Sequence, residues 1–462
     1  MFISSKKKHD INKFWLILFD IFSLGLSIFF AVAIRFGMKA AQEYIGQRLL
    51  PLFISLFIFL VFFYVNGLYE PRLLNKYLRI ISRISLSVLF AILLNSLIFY
   101  ATFSMAIGRG VFILIALFVI ILTTLPRMIY ILIVSNKILD RQTIIIGSGE
   151  SIIDAIDLIN KYPSSLCHII GVVAEREGVS IPPEVGYKIL GSTDEINEII
   201  KGRKVDRIIV TTLEPKRAKI LKNLRICSYH GIEVIDLVSL YEELEGQVPL
   251  KYIDDEWLFS SISNYPGFHV KKLKRLMDII GSLIGLVITF PVCLIAAIII
   301  KLDSKGPVFY RQKRLGRYTR PFRIIKFRTM VHHAERGLGA VWAKEEDSRI
   351  TRVGKFLRKT RIDEIPQLIN VFLGQMSLVG PRPERAAFIK ELSEKIPFYP
   401  ERLYVQPGVT GWAQINYPYA SSLQETKIKL QYDLYYIKHT SFFLDCQVLL
   451  KTIKITFLGF GR

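Results

Sequence analysis

Cysteine is scarce in this chain of 462 residues, and its four copies are far apart. Zinc sites need closely spaced ligands and disulfide-stabilised folds need a denser set, so the sequence supports neither. Acidic residues are also few: 39 oppose 61 lysines and arginines, which leaves a formal net charge of +22. Yet 51% of the residues are hydrophobic. This combination disfavours a nucleic-acid-binding protein and predicts a membrane protein that acts on anionic material.

Four apolar runs are each long enough to cross a hydrocarbon core of about 30 Å. Lysines and arginines concentrate before the first run, between the second and third, and after the fourth. The positive-inside rule then places both ends of a four-helix bundle, residues 1–136, in the cytoplasm. The predicted spans are about 14–34, 49–65, 84–107 and 111–134.

Two charged residues lie inside these spans, Asp20 in the first and Arg127 in the fourth. Charges at such positions are costly and usually find a partner, so we predict an ion pair between the two helices. The alternative is that each side chain reaches the membrane interface separately.

A fifth apolar run, 277–300, has lysines and arginines at both ends. Basic residues on both flanks indicate that both ends face the cytoplasm. Pro291 near its middle removes a helical hydrogen bond. We therefore predict a re-entrant helix that breaks at Pro291 and returns to the same side, with a kinked spanning helix as the alternative.

Short apolar strands alternate with helical patterns over 140–245, which predicts a parallel, Rossmann-like sheet. The turn Gly147-Ser-Gly149 resembles the start of a dinucleotide-binding motif, but Ile152 replaces its third glycine. Glu175 is a weak candidate for the acid that would bind a ribose. NAD, another nucleotide ligand, and a scaffolding or dimerising role all remain open. A linker is predicted over 246–269.

Two adjacent acids, Asp363 and Glu364, precede Pro366 in a short helical pattern. Proline is tolerated only in a first helical turn, so the helix is predicted to begin just before it. The acids would then lie at the positive end of the helix dipole, surrounded by arginines. This arrangement indicates phosphate chemistry with a divalent metal, whereas capping acids with solvated neighbours are the alternative. The predicted apolar face consists of Ile365, Leu368, Ile369 and Phe372.

Several blocks in the last third of the chain are long enough to be specific. In order they are KRLMD (274–278), YRQKRLG (310–316), KFRTM (326–330), RIDEIPQLINVFLGQMSLVGPRP (361–383), PGVTGWAQIN (407–416) and YDLYYIKHTSFFLD (432–445). They resemble the bacterial sugar transferase family, the monotopic phosphoglycosyl transferases. The large form of this family has four membrane helices, a Rossmann-like domain and a mostly α-helical catalytic domain with a re-entrant helix. The last of these would be 270–462 here.

The resemblance implies transfer of sugar 1-phosphate from a UDP-sugar to polyprenyl (undecaprenyl) phosphate, with UMP as product. Such enzymes initiate exopolysaccharide or other surface glycan synthesis at the bacterial inner membrane, and a homodimer is compatible with this role. Asp363 would be the nucleophile of a covalent intermediate, and Glu364 would hold Mg²⁺. Adjacent helical positions point in different directions, which favours different roles for the two acids. Substrate-binding positions carried over by resemblance are Arg314, Arg358, Arg361, Pro381, Arg382 and Asp433.

The chain departs from many relatives at Tyr417, where they have a Gly-Arg turn. An arginine that could contact the nucleotide sugar is thereby absent, and Gln424, Lys427 or Lys429 could replace it. The tail, 442–460, combines apolar residues with lysines and is predicted to be an interfacial amphipathic helix. A non-catalytic scaffold or sensor is the alternative function. An oxidoreductase or epimerase is disfavoured by the incomplete glycine motif.

Overall fold

The computed structural model describes residues 6–69, 77–102, 107–135, 140–162, 165–175, 186–211, 217–263, 267–331, 349–417 and 422–458. The chain divides into two compact units, Met1–Glu245 and Gly246–Arg462. The segment predicted as a linker belongs to the second unit, where it forms a 3-10 turn, Leu250–Tyr252, and a helix, Asp255–Ser263.

The first unit begins with five helices. They are α1 (Lys6–Phe36), α2 (Met38–Gln47), α3 (Leu49–Val65), α4 (Tyr77–Ala101) and α5 (Arg109–Ser135). Segments of α1, α4 and α5 are long and apolar enough to cross a membrane, and α2 with α3 would add one span bent by 86°. Helix α4 begins and ends earlier than the predicted third span. It starts early because the helix continues through basic residues that the apolar pattern excludes.

The predicted ion pair between α1 and α5 is confirmed. Arg127 donates from both terminal nitrogens to the Asp20 carboxylate, at 2.7 and 2.6 Å, and both side chains are buried. Arg127 also donates to the carbonyl of Thr123. The bidentate geometry pairs the two charges inside the helical bundle.

The first unit continues with a five-stranded, all-parallel sheet of order β3-β2-β1-β4-β5, as the Rossmann-like prediction requires. Glu175 follows β2 directly and is buried, and its carboxylate accepts a hydrogen bond from Ser148 in the glycine turn. Ile152 is also buried. The elements are β1 (Arg141–Gly147), α6 (Glu150–Lys161), β2 (Cys167–Ala174), β3 (Ile189–Ser192), α7 (Ile196–Lys201), β4 (Arg207–Val210), α8 (Arg217–Tyr229), β5 (Glu233–Asp236) and α9 (Leu237–Glu245).

The second unit is mostly helical, as predicted, with an antiparallel hairpin and one parallel strand pair. Its elements are α10 (Asp255–Ser263), α11 (Phe268–Asp303), β6 (Phe309–Leu315), β7 (Pro321–Phe327), α12 (Arg352–Lys359), α13 (Gln367–Phe372), β8 (Ser377–Val379), α14 (Ala386–Lys395), β9 (Gly408–Thr410), α15 (Trp412–Asn416), α16 (Leu423–His439) and α17 (Phe442–Leu458).

Helix α11 contains the fifth apolar run and is long and apolar enough to cross a membrane. It continues through Pro291 without interruption, so the predicted break in the helix is wrong. A proline removes only one hydrogen bond, and the flanking turns keep theirs. The path of α11 relative to a bilayer stays a prediction.

Helix α17 corresponds to the predicted interfacial tail. One of its faces buries Leu444, Asp445 and Val448 in the core of the second unit, whereas Phe443 and Ile453 are exposed. Only the exposed face is therefore open to a membrane interface.

Candidate functional site

The two adjacent acids lie in a 3-10 turn, Ile362–Glu364, between α12 and α13. Arg361 opens this turn in the left-handed region, with φ of 56°, and its carbonyl accepts a hydrogen bond from the Glu364 amide. Helix α13 begins at Gln367, one residue after Pro366, so the predicted start is slightly too early. In a 3-10 turn successive side chains differ in direction by about 120°, which separates the two carboxylates.

Glu364 is held by two cations. Its Oε1 accepts hydrogen bonds from Lys326 Nζ at 2.8 Å and from Arg382 at 2.5 Å. Burial raises the pKa of Glu364, but the charges and hydrogen bonds of Arg382 and Lys326 outweigh burial and hold that pKa well below its usual range. Glu364 is therefore an anion at any physiological pH.

Asp363 has the opposite electrostatic environment. Its side chain is 8% exposed, and it accepts no hydrogen bond from the described part of the chain. Burial, and then the charge of Glu364, raises the pKa of Asp363 to about 6, against the opposing charges of Lys326, Arg382 and Arg358. Two neighbouring carboxylates with such different pKa values fit different chemical roles.

Lys326, in β7, was not predicted as a site residue. Its block, KFRTM, carries the family resemblance, but the sequence separates it from Glu364 by 38 positions. A pairing over that distance depends on how β7 packs on the turn that carries Asp363 and Glu364, here called the acidic dyad.

Arg382 lies in a backbone clamp. The amide of Gly380 donates to Thr410, and the amide of Gly408 donates to the carbonyl of Pro381, at 2.8 and 2.9 Å. A Cβ at Gly380 would collide with the carbonyl oxygen of Gln406, so the two backbones can approach this closely only at glycine. The clamp supports the prediction that Pro381 and Arg382 form a positioned anion-binding turn.

Two further predicted arginines, Arg358 and Arg314, have different hydrogen-bond partners. Arg358 lies in the last turn of α12, donates from Nε to Thr329 at 2.9 Å, and its charge lowers the pKa of Asp363. Arg314 is directed to Pro383 and Glu384, where its hydrogen bonds are long, 3.4 and 3.5 Å. It therefore supports the turn that carries Arg382 rather than either acid.

Asp433 pairs with an arginine that sequence reasoning missed. Arg402 donates to Asp433 at 2.9 Å, to the Tyr399 hydroxyl at 2.6 Å and to the carbonyl of Arg382 at 3.1 Å. Burial raises the pKa of Asp433, and Arg402 opposes this shift. Asp433 thus supports the back of the Arg382 turn through Arg402, and its predicted contact with metal or substrate stays a prediction.

A pocket that opens to solvent is lined by Arg382 but not by Glu364, to which Arg382 is hydrogen-bonded. Arg382, Arg402, Asp433, Gln414 and Lys429 are among the residues that line it. The dyad and this pocket therefore share one arginine.

The donor set fits a magnesium ion of the kind completed by substrate. The described residues hold no cluster of three or more acidic, histidine or cysteine ligands. Mg²⁺ bound by one or two carboxylates plus substrate phosphates and water needs no such cluster. Both hydrogen bonds to Glu364 reach Oε1, which leaves Oε2 for a metal.

Comparison with known proteins finds two family models. The bacterial sugar transferase model matches residues 269–459, and the CoA-binding domain model matches residues 64–235. The UDP-N-acetylgalactosamine-undecaprenyl-phosphate N-acetylgalactosaminephosphotransferase of Aeromonas hydrophila is 42% identical over 235 residues, which are 51% of this chain and 55% of that protein.

Two longer matches cover 68% of this chain. The UDP-glucose:undecaprenyl-phosphate glucose-1-phosphate transferase of Xanthomonas campestris is 32% identical, with 66% of its length matched. An uncharacterized sugar transferase of Haemophilus influenzae is 30% identical, with 69% matched. The chain thus spans about half to two thirds of the length of these curated relatives.

Proposed function

This chain belongs to the bacterial sugar transferase family, and we propose that it transfers a sugar 1-phosphate from a UDP-sugar to undecaprenyl phosphate. The names of two relatives supply the substrate classes. The observation that carries the proposal is the dyad: a clamped anionic Glu364 beside a buried Asp363 with a raised pKa. The basic flanks of the apolar runs support a cytoplasmic active site.

Asp363 acts first, as the nucleophile. One of its carboxylate oxygens forms a bond to the sugar-bearing phosphorus of the UDP-sugar, and the bond from that phosphorus to the bridging oxygen breaks. UMP leaves with the electron pair of the broken bond. An oxygen of the lipid phosphate then attacks the same phosphorus and releases the Asp363 carboxylate. One phosphoanhydride is exchanged for another, so no further energy source is needed.

The neighbouring charges support this sequence of steps. Arg382 and Lys326 concentrate positive charge where the donor phosphates would lie, and the fork of Arg382 suits phosphate oxygens. Glu364 would hold Mg²⁺ together with substrate phosphates, and the ion would neutralise charge on those phosphates. Addition of EDTA should then abolish UMP release, and Mg²⁺ should restore it.

The covalent step is tested with purified enzyme and UDP-sugar in the absence of lipid. We expect UMP release up to about one equivalent of enzyme, and a peptide containing Asp363 that gains the mass of a sugar phosphate. The Asp363→Asn variant should bind the donor but form neither adduct nor product. Glu364→Gln keeps the nucleophile and should recover part of its activity at high Mg²⁺.

Direct attack by the lipid phosphate is the competing mechanism. It predicts no UMP burst without lipid and no labelled peptide, with lipid-dependent activity intact. That result would remove Asp363 as the nucleophile and leave the transferase proposal standing. A panel of several UDP-sugars in the same assay identifies the sugar.

A further inference from the structure

The pocket beside Arg382 has a cation that the dyad does not use. Lys429, on α16, lines this pocket, and its ammonium makes no hydrogen bond or ion pair within the described ranges. The other two pocket cations are engaged. Arg382 is bonded to Glu364, and Arg402 is bonded to Asp433 and Tyr399. Lys429 is therefore the pocket cation available for an anion that arrives with a substrate.

The surroundings of Lys429 favour such an anion. Burial lowers the pKa of Lys429, and Arg382 and Arg402 add to this effect, whereas Glu384 and Asp433 oppose it. An ammonium in this position gains a partner when a phosphate binds, and its charged form is then stabilised. Lys427 is two residues away on the same helix but does not line the pocket.

An uncommitted acceptor in the same pocket indicates which phosphate this is. The side-chain oxygen of Gln414 is buried and accepts no hydrogen bond from the described residues, while its nitrogen donates to Val409. A buried acceptor without a partner is costly unless a ligand donates to it. A nucleoside has hydroxyl and N–H donors, the sugar has hydroxyl donors, and a polyprenyl chain has none. The acceptor therefore favours the UDP-sugar over the lipid, and since the sugar-bearing phosphate is assigned to Asp363, the nucleotide half is the part that remains for this pocket.

We infer that Lys429 binds the phosphate of the departing nucleotide, with the nucleoside lying toward Gln414. This inference rests on the proposed function and adds a division of the site. The sugar-bearing phosphate lies between Asp363 and Arg382, and the UMP phosphate lies between Arg382 and Lys429. Arg382 thereby contacts both sides of the bond that breaks. Of the three residues that could replace the missing family arginine, the pocket contains Lys429.

Binding of UMP and of uridine to the whole protein in detergent separates the phosphate contact from the rest of the pocket. Lys429→Met should weaken the binding of UMP about tenfold or more, because a hydrogen bond to a charged group is lost. Uridine lacks the phosphate, so its affinity should stay unchanged. Lys429→Arg should restore UMP binding, and Lys427→Met should behave as wild type. The KM for UDP-sugar should rise in Lys429→Met while the KM for undecaprenyl phosphate stays constant.

Three results would overturn the inference. The first is an affinity for UMP that is unchanged in Lys429→Met. The second is an equal loss of affinity for UMP and for uridine. The third is a rise confined to the KM for undecaprenyl phosphate, which would assign Lys429 to the acceptor phosphate. Wild-type protein that binds UMP but transfers no sugar phosphate contradicts the proposed function instead. The binding comparison needs no turnover, so the two failures are distinguishable.

Discussion

Lys274 and Asp445 are 171 positions apart and form an ion pair of 2.8 Å in the core of the second unit. Lys274 also donates to the carbonyl of Val379, at 2.9 Å, and the Tyr436 hydroxyl donates to the same carbonyl. Val379 ends β8 immediately before the turn that carries Arg382. The N-terminal part of α11 is thereby joined through α17 and β8 to the turn that carries Arg382.

Substitution of Asp445 by Asn should destabilise this core. It leaves the Lys274 charge without its carboxylate, and breaking a largely buried pair costs about 3 kcal/mol. Transfer activity should fall with it, because the anchor of the Arg382 turn loosens. Thermal unfolding in detergent and UMP release measure the two effects. The matched control is Glu391→Gln, which removes an exposed pair with Lys395 and should cost less than about 1 kcal/mol. Equal stability of the two variants would contradict a structural role for the pair.

The pH dependence should show one acid limb set by Asp363. The carboxylate must be ionised to attack phosphorus, and its pKa is raised to about 6, so activity should rise with pH through that value and then level off. Glu364 has a lowered pKa and stays ionised over this range. The profile of kcat/KM reports the free enzyme.

Glu364→Gln provides the control for this assignment. The charge of Glu364 raises the Asp363 pKa, so its removal should move the acid limb to lower pH even where the rate is reduced. An acid limb that stays in place in this variant would assign the titration to another group.

Two glycines of α11 allow the dyad segment to pack against it. A Cβ at Gly285 would lie 2.8 Å from Leu368 of α13, and one at Gly281 would lie 2.6 Å from Leu378 of β8. Gly285→Leu should therefore overpack this contact, at a cost of about 1–3 kcal/mol, and reduce activity. Val287→Leu, at an exposed position two residues further along, is the control and should change neither property. Thermal unfolding and UMP release are again the measurements, and parallel losses in both variants would refute a specific packing role.

The topology of α11 can be tested with single cysteines. We replace the four native cysteines by serine and introduce Lys272→Cys or Lys305→Cys. Basic residues at both flanks predict that a membrane-impermeant thiol reagent labels both sites from the cytoplasmic side only. Labelling of Cys at 305 from outside would establish a spanning helix. A helix without a break at Pro291 can return to the same side only if it bends sharply, and this labelling distinguishes such a bend from a spanning path.

Periodic and local patterns allowed much of this architecture to be predicted. The βαβ alternation identified the parallel sheet, and the cost of charges in apolar spans identified the Asp20–Arg127 pair. The prediction for α13 failed in a specific way. Its expected apolar face includes Phe372, which is exposed, whereas Asn370 is fully buried.

Asn370 is buried because it completes hydrogen bonds at a hairpin. Its amide donates to the carbonyl of Arg323, and its oxygen accepts from the Ile325 amide. Such a contact joins segments about 45 residues apart and has no periodic signal. Lys326 and Arg402 escaped prediction for the same reason, since only tertiary contacts bring them to Glu364 and Asp433.

The contacts of the α11 glycines also relate the catalytic segment to the apolar run that would enter the membrane. Gly285 follows Met277, the first residue of the apolar run, by eight residues, or about 12 Å along a helix. If that run enters the hydrocarbon at Met277, the contact between Gly285 and Leu368 lies about 12 Å further along the helix, and the acidic turn precedes Leu368 by only a few residues. A long-chain acceptor could then present its phosphate to the carboxylate without leaving the leaflet. The lipid phosphate would then react at the membrane surface, and the water-soluble nucleotide sugar would diffuse to it from solution.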